Sequence, residues 1–297
     1  MRWFYFILLL TSSNSFAGTA VEYYQNGIQH ALNGHYYKSG MLYEAENAKQ
    51  TLHLATLDWP PYIGNDLCNK GWVYQFSIAL LNNKGYSVYI EFLPWARAVR
   101  NVELGKADIL IPEYFIEDTA PSDYVNGKTR RELLGLSNSF KGGEIAFLKR
   151  KGDTDRFTGN LKSLKGQKIG VVRGYQNTPE FDAMMDNDEF EIITSVDDLQ
   201  LVQLLVAKRV DLIIGDPEVL KFSVSYSSLN KSEKKYLLSS VEQESISLQY
   251  NPLYFAISKL TPNWLLILEH INEGLYQFHN SGEMDRIINT TNTQCKQ

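Results

Sequence analysis

The sequence predicts an α/β protein of two lobes, each with a mainly parallel sheet, joined by a two-segment hinge and facing a shared cleft. Three observations carry this expectation. A pattern occurs twice: Gly105-Lys-Ala-Asp-Ile-Leu-Ile-Pro112 and Ala207-Lys-Arg-Val-Asp-Leu-Ile-Ile-Gly-Asp216 each read as a basic helix end, an Asp and a short apolar run. Each copy follows an amphipathic stretch, and each run has the length of a buried parallel strand. Late in the chain, residues 247–257 read as an extended segment returning to the first lobe, so that two crossings connect the lobes. Open α/β sheets bind ligands beyond the carboxyl ends of their strands, which places a site between the two units.

The elements follow in order. Residues 1–17 form a cleavable export signal: Arg2 is the positive start, 3–10 are apolar, and Ser15-Phe-Ala17 fits the small-x-small cleavage rule, so the mature chain begins at Gly18. Residues 18–50 are expected as a helical extension, with helices over 21–32 and 41–49 separated by Asn33-Gly34. Residues 51–57 alternate like a strand that Asp58-Trp-Pro-Pro-Tyr62 stops. A helix over 73–81 ends at Asn82-Asn-Lys-Gly85, a strand spans 86–93, and Pro94 opens a helix reaching Leu104. Strand 109–111 follows, then a polar, irregular stretch over 113–135 and a strand over 143–149. The second lobe has strands over 168–172, 191–195 and 211–214. Asp197-Asp198 caps the helix over 199–208, and a further helix starts after Pro217. A long amphipathic helix over 263–279 comes after the return. The boundaries are therefore 51–143 with 252–297 for lobe 1 and 144–251 for lobe 2.

Composition narrows the function. The 297 residues are 44% hydrophobic and 21% charged, enough for two modest cores, and the net charge of −5 gives no basic stripe for nucleic acid. Beyond the leader no stretch of about 18 apolar residues follows, so an exported, periplasmic, soluble monomer is expected. Cys68 and Cys295 are the two cysteines. In an oxidising compartment they are expected as a disulfide tying the chain's end to lobe 1, with two separate thiols as the alternative. The five histidines show no zinc-type spacing, so neither a metal nor another cofactor is expected.

Over residues 51–290 the chain resembles the extracellular solute-binding proteins of family 3, the periplasmic component of polar amino-acid ABC transporters. The likeness rests on Leu57-Asp-Trp-Pro-Pro-Tyr62, Pro94-Trp-Ala-Arg97, Gly105-Lys-Ala-Asp108, Lys168-Ile-Gly-Val-Val-Arg-Gly174, Arg209-Val-Asp211 to Asp216, and Tyr254-Phe-Ala-Ile-Ser-Lys259 followed by Pro262. The first two signatures resemble a divergent branch of unassigned ligand. The resemblance implies the two-lobe periplasmic-binding-protein fold of type II and closure on a small solute.

It also implies ligand contacts. Trp59 and Tyr62 match the aromatic position after the first strand, and Trp95 lies in the second signature. Glu113 and Tyr114 occupy the loop after the third strand. The family's carboxylate clamp is an arginine, whose planar fork grips two oxygens. Counted without gaps that position falls on Ala120; counted back from Ser137-Asn-Ser-Phe140 it falls on Arg130, with 118–127 inserted, and the second count is preferred. Arg97 and Arg173 are substitutes. Gly174 and Tyr175 open a helix whose start favours an anion, though the family often has Thr where Tyr175 stands. Asp216 matches the acid that meets an α-amino group; the alternative reading of the residues alone is a cap for the helix after Pro217. The resulting expectation is a binding protein, not an enzyme, delivering a small amino-acid-like solute to an ABC permease. The alternatives are a cyclohexadienyl-type dehydratase with Glu113 as its acid, and a sensor input for a membrane receptor.

Overall fold

The structure, a computed structural model, describes residues 19–294. The expected leader over 1–17 and Cys295 lie outside these residues. The stretch expected as a helical extension is instead built of strands. β1 (Ala20–Gln25) and β2 (Ile28–Asn33) form an antiparallel hairpin with Gln25 opposite Ile28. Its turn is Asn26-Gly27, with φ of 52° and 78°. Two residues at positive φ match the twist of the flanking strands, and Asn-Gly is the pair that adopts them most readily. Val21 and Tyr23 are buried while Ala20, Glu22 and Tyr24 are exposed, a period of two rather than 3.6. β3 (His35–Tyr37) and β4 (Gly40–Tyr43) form a second hairpin on the edge of the main sheet.

The first half continues with β5 (Thr51–Thr56), α1 (Trp72–Asn83), β6 (Ser87–Phe92), α2 (Trp95–Glu103), β7 (Ile109–Glu113), α3 (Arg130–Leu133) and β8 (Leu134–Leu136). β9 (Phe140–Arg150) leads into the second half: β10 (Lys168–Val172), α4 (Pro179–Asp186), β11 (Glu191–Ser195), α5 (Asp198–Val206), β12 (Leu212–Gly215), α6 (Pro217–Tyr226) and α7 (Lys231–Ser239). β13 (Val241–Ser258) returns, and α8 (Trp264–Asn280) and α9 (Glu283–Gln294) follow.

The main sheet runs β11-β10-β12-β9-β13-β7-β5-β6-β4-β3, with β8 also paired to β13. Each half has a parallel triplet: β5 between β6 and β7, β10 between β11 and β12. The pattern that occurs twice in the sequence supplies β7 and β12, the equivalent strand of each triplet. Between the triplets β9 and β13 run antiparallel from Arg150 opposite Val241 to Phe140 opposite Leu253, with three shifts of register. These are the two connections between the halves. α1 is buried from Trp72 to Leu81, packed against α8, α9 and β1, and is apolar on every side apart from the hydrogen-bonded Gln75 and Ser77. A second core, including Leu201, Leu205, Ile213 and Leu220, sits between β10, β12 and the helices α5 and α6. Among the described residues no helix is long and apolar enough to cross a membrane.

An aromatic cleft as the candidate functional site

The carboxyl ends of β5, β7, β10 and β12 meet between the two halves, and the residues that follow them form the site. After β5 the chain doubles back tightly. Trp59 N–H donates to the Ile63 carbonyl at 2.7 Å and Ile63 N–H returns to the Trp59 carbonyl at 3.1 Å. This turn stacks Trp59 on Tyr62, with centroids 4.6 Å apart and planes 21° apart. Tyr114, just after β7, meets Trp59 edge-on at 5.6 Å.

Tyr62 and Trp95 join the halves here. Tyr62 donates its hydroxyl hydrogen to Asp216 Oδ2 at 2.8 Å. Trp95, the first residue of α2, donates from Nε1 to the Gly174 carbonyl at 2.9 Å and lies edge-on to Tyr175 at 6.0 Å. Asn251 Nδ2 donates to the Asn177 carbonyl. Of the two roles that the sequence left open for Asp216, the structure shows the helix cap, with one oxygen left over for Tyr62. Asp216 Oδ1 accepts from the Glu218 and Val219 amides and caps α6, leaving Oδ2 for Tyr62. Gly174 takes φ of +82°, a conformation that side chains with a Cβ resist.

Glu113 ends β7 fully inside. Its Oε1 accepts from the Tyr114 amide at 2.9 Å and its Oε2 accepts from Arg130 Nη2 at 2.8 Å. Arg130 Nε donates to Glu103 Oε1 at 2.9 Å, and Ser122 donates to the other Glu103 oxygen. Arg130 is only 4% exposed, and its Nη1 is buried without a hydrogen-bond partner. The two counts that placed the clamp on Ala120 or Arg130 converge in space. Residues 121–129 form a loop closed by the Pro121–Thr129 bridge, and Arg130 N–H donates to the Ala120 carbonyl at 2.8 Å. Arg130 therefore bonds Glu113 from beside the central rings and lines, with Arg173 and Tyr175, a pocket that flanks them. The reason is electrostatic: two buried carboxylates hold the guanidinium there. Arg97 and Arg173 are both exposed.

Leu57, Trp59, Trp95, Glu113, Tyr114 and Tyr175 line a central cavity of about 20 Å³. That is room for a single water, so an amino-acid-sized solute enters only when the halves part. A flanking pocket of about 200 Å³ is lined by Glu103, Arg130, Arg173 and Tyr175, and one of about 300 Å³ by Asp58, Asp66, Asp197 and Asp198. Burial raises the carboxyl pKa of Glu113 and of Asp216, and lifts Asp198 to about 7 against the opposing hydrogen bond from Tyr175. Tyr114 is 7% exposed, and its hydroxyl is buried without a partner. Burial holds its pKa well above the ordinary phenol range.

Seven of the expected site residues thus surround one cavity or its bridging bonds: Trp59, Tyr62, Trp95, Glu113, Tyr114, Tyr175 and Asp216. Gly174 joins through its carbonyl. Sequence reasoning missed three others. Asp198 reads as a cap, yet Asp197 does the capping by accepting from the Gln200 amide, while Asp198 accepts from the Tyr175 hydroxyl at 2.8 Å. Glu103 carried no signal beyond ending a helix. Gly143, on β9, faces the bond between the halves: a Cβ there would lie 2.1 Å from the Tyr62 oxygen and 2.2 Å from Asp216 Oδ2. Cys68 opens a short 3-10 turn, Cys68–Lys70. Among the described residues no group of His, Cys, Asp and Glu is arranged to hold a metal ion.

No protein-family model and no curated protein sequence matches the chain. Solved structures do. An ancestral arginine-binding protein bound to arginine superposes with a TM-score of 0.61 at 21% identity, covering 81% of this chain and 97% of that one. A histidine kinase sensor domain with similarity to periplasmic binding proteins gives 0.63 at 16% identity, covering 81% and 95%. An amino acid ABC transporter substrate-binding protein from Streptococcus pneumoniae bound to L-arginine gives 0.60 at 15% identity, covering 81% and 94%. The chain therefore has the mixed α/β fold, organised on one large sheet, of the periplasmic-binding-protein-like structures to which it is similar.

Proposed function

We propose that this chain is an exported solute-binding protein whose two lobes close on a small, amino-acid-like solute and present it to an ABC permease. One observation carries the reading above the others. The ends of four parallel strands from two halves, linked only by β9 and β13, converge on a ring-lined cavity bridged by Tyr62–Asp216 and Trp95–Gly174. A solute that makes better contacts with both halves together than with either alone shifts the balance toward the closed form. The arginine-bound neighbours of this fold support an amine-bearing solute. The periplasm, the cleavage after Ala17 and the monomeric state belong to the same proposal.

The Cys68–Cys295 disulfide belongs to it too. Its support is that α9, which leads to residue 295, packs against the turn at Cys68–Lys70. The dehydratase alternative needs Glu113 as a free acid, and the Arg130 ion pair on Glu113 weakens it. The similar sensor-kinase fold keeps a receptor partner as the second reading; the binding step is common to both. The test is a thermal-shift screen of the mature chain against small amines, amino acids and organic acids. A solute at a hundred times its Kd adds about 2.7 kcal/mol to stability. A screen in which no such compound moves the transition would sink the proposal.

A further inference from the structure

We infer that the second half carries a membrane-docking face: six cations gathered around α7, with an exposed tyrosine among them, rest on the anionic surface of a phospholipid bilayer. This goes beyond the solute-binding reading and does not depend on it. Three observations lead there.

The first is how the fold gathers charge. The chain is acidic overall, at −5, and its sequence shows no basic stripe. The cations that meet here come from three separate stretches: Lys151 after β9, Lys208 and Arg209 after α5, and Lys231, Lys234 and Lys235 on α7. α7 packs against α5. The Lys151 amide donates to the Ser240 carbonyl, just past α7, at 2.9 Å, and Arg150 Nη1 donates to the Val210 carbonyl, just past Arg209, at 2.6 Å. α7 has 9 residues. A helix of that length spans about 14 Å, so its basic start and the basic residues around its end fall within one contact area.

The second is the lack of counter-ions. Five of the six cations are exposed and Lys234 is half-buried. Among the described residues none of the six forms an ion pair. The neighbouring acids are engaged by other groups: Glu242 by Lys149, Asp153 by Arg150 and Arg156, Glu218 by Lys221, and Glu233 by the Asn230 amide in the cap of α7. The placement also runs against the helix. Lys231 is the first residue of α7 and Lys234 the fourth, at the positive end, where cations are disfavoured. Lys231 and Lys235 stand four apart, so like charges face each other. No contact within the fold offsets this, whereas an anionic surface does.

The third is the kind of surface. Tyr236, next to Lys235, is 61% exposed, and an apolar ring with a polar tip suits the boundary between membrane and water. The cations are spread over a turn, a helix end and a helix instead of converging on one point. That spread matches a plane of lipid phosphates better than a single bound anion.

The experiment is co-sedimentation of the full mature chain with vesicles of phosphatidylglycerol and phosphatidylethanolamine, against vesicles of phosphatidylcholine alone. The chain is expected on the anionic vesicles and not on the zwitterionic ones, and molar salt should release it. Lys231→Glu combined with Lys235→Glu should lower binding about tenfold. Acids are favoured toward the start of a helix, so the melting temperature without vesicles should not fall. Lys151→Glu combined with Arg209→Glu, on the other stretches of the face, should act in the same direction. Lys162→Glu combined with Lys165→Glu makes the same change of charge at exposed lysines elsewhere in this half and should leave binding nearly unchanged. Absence from the anionic vesicles overturns the inference, and so do equal losses from all three pairs, which would show that only net charge matters. Tighter binding to soluble polyglutamate than to the vesicles would assign the face to an acidic protein and overturn it too. Solute binding, read separately by thermal shift, is expected to be the same in every pair, so the solute-binding reading stands or falls on its own screen.

Discussion

Gly143→Ala tests the bond between the halves without replacing a side chain placed at the solute site. A Cβ at Gly143 would sit 2.1 Å from the Tyr62 hydroxyl oxygen and 2.2 Å from Asp216 Oδ2, inside the hydrogen bond that joins them. Tyr62 cannot simply swing away, because it is stacked on Trp59 and packed edge-on against Trp72 at 6.0 Å. The bond must break for the halves to meet. A hydrogen bond to a charged group contributes about 1.5–3 kcal/mol. At about 1.4 kcal/mol per factor of ten, the closed population should fall roughly ten- to a hundredfold, and the apparent Kd should rise by the same factor. Separating Tyr62 from Asp216 would relieve the clash, and alanine in a strand is favoured over glycine by about 0.5–1 kcal/mol. Solute-free thermal stability should therefore change little while affinity collapses. Titration calorimetry gives the affinity, small-angle scattering gives the compaction, and a melt without solute gives the stability. A variant that closes and binds like the parent would refute the assigned geometry, and one that merely unfolds would refute the claim that the clash is confined to the closed form.

Further outcomes follow from the same contacts. Non-reduced peptide mapping of exported material should show Cys68 joined to Cys295; two alkylated thiols would remove the link. Arg130→Ala leaves Glu103 and Glu113 buried without their cation, so chemical denaturation should show a loss of about 3–5 kcal/mol, and a loss below 1 kcal/mol would mean the triad is not buried as described. Stability should rise as pH falls from 8 toward 5. Asp182 and Asp198, both raised to about 7 by burial, take up protons in the folded chain at pH values where the unfolded chain, with carboxyls near 3.8, has lost them. Asp198→Asn should flatten that rise, which melting temperatures across the range would show; an unchanged slope would exclude Asp198 as a contributor.

The parallel strands were legible because each is a short apolar run between a helix and a polar end, and the same pattern marked β7 and β12 independently. The returning strand β13 was visible over 247–257, but its full length, Val241–Ser258, was not, since its first part alternates weakly and is half exposed. The N-terminal hairpins were misread as helices. β3 is exposed at all three residues and offers no buried face to generate a period, and of the two Asn-Gly pairs it is Asn26-Gly27, inside the span expected as a helix over 21–32, that makes the hairpin turn. Within the site, the aromatic residues and Asp216 were readable from position, as residues that follow strand ends. What sequence could not supply was pairing at a distance. Glu103 and Arg130 lie 27 residues apart, and the contact of Gly143 with Tyr62 and Asp216 depends on how β9 crosses between halves. The environment of Arg130, between Glu103 and Glu113, was not readable because these partners are not local.

The most direct measurement of the central claim is a crystal structure of the mature chain with the probe that gives the largest thermal shift. The account predicts the probe enclosed between the halves, its charged group within contact of Trp59, Trp95 and Tyr175, and hydrogen-bonded to Tyr114 or Asp216, with the Tyr62–Asp216 bond displaced or shared. A probe seated outside the cleft, or halves that remain in the same contact around the same 20 Å³ cavity with the probe bound elsewhere, would contradict it.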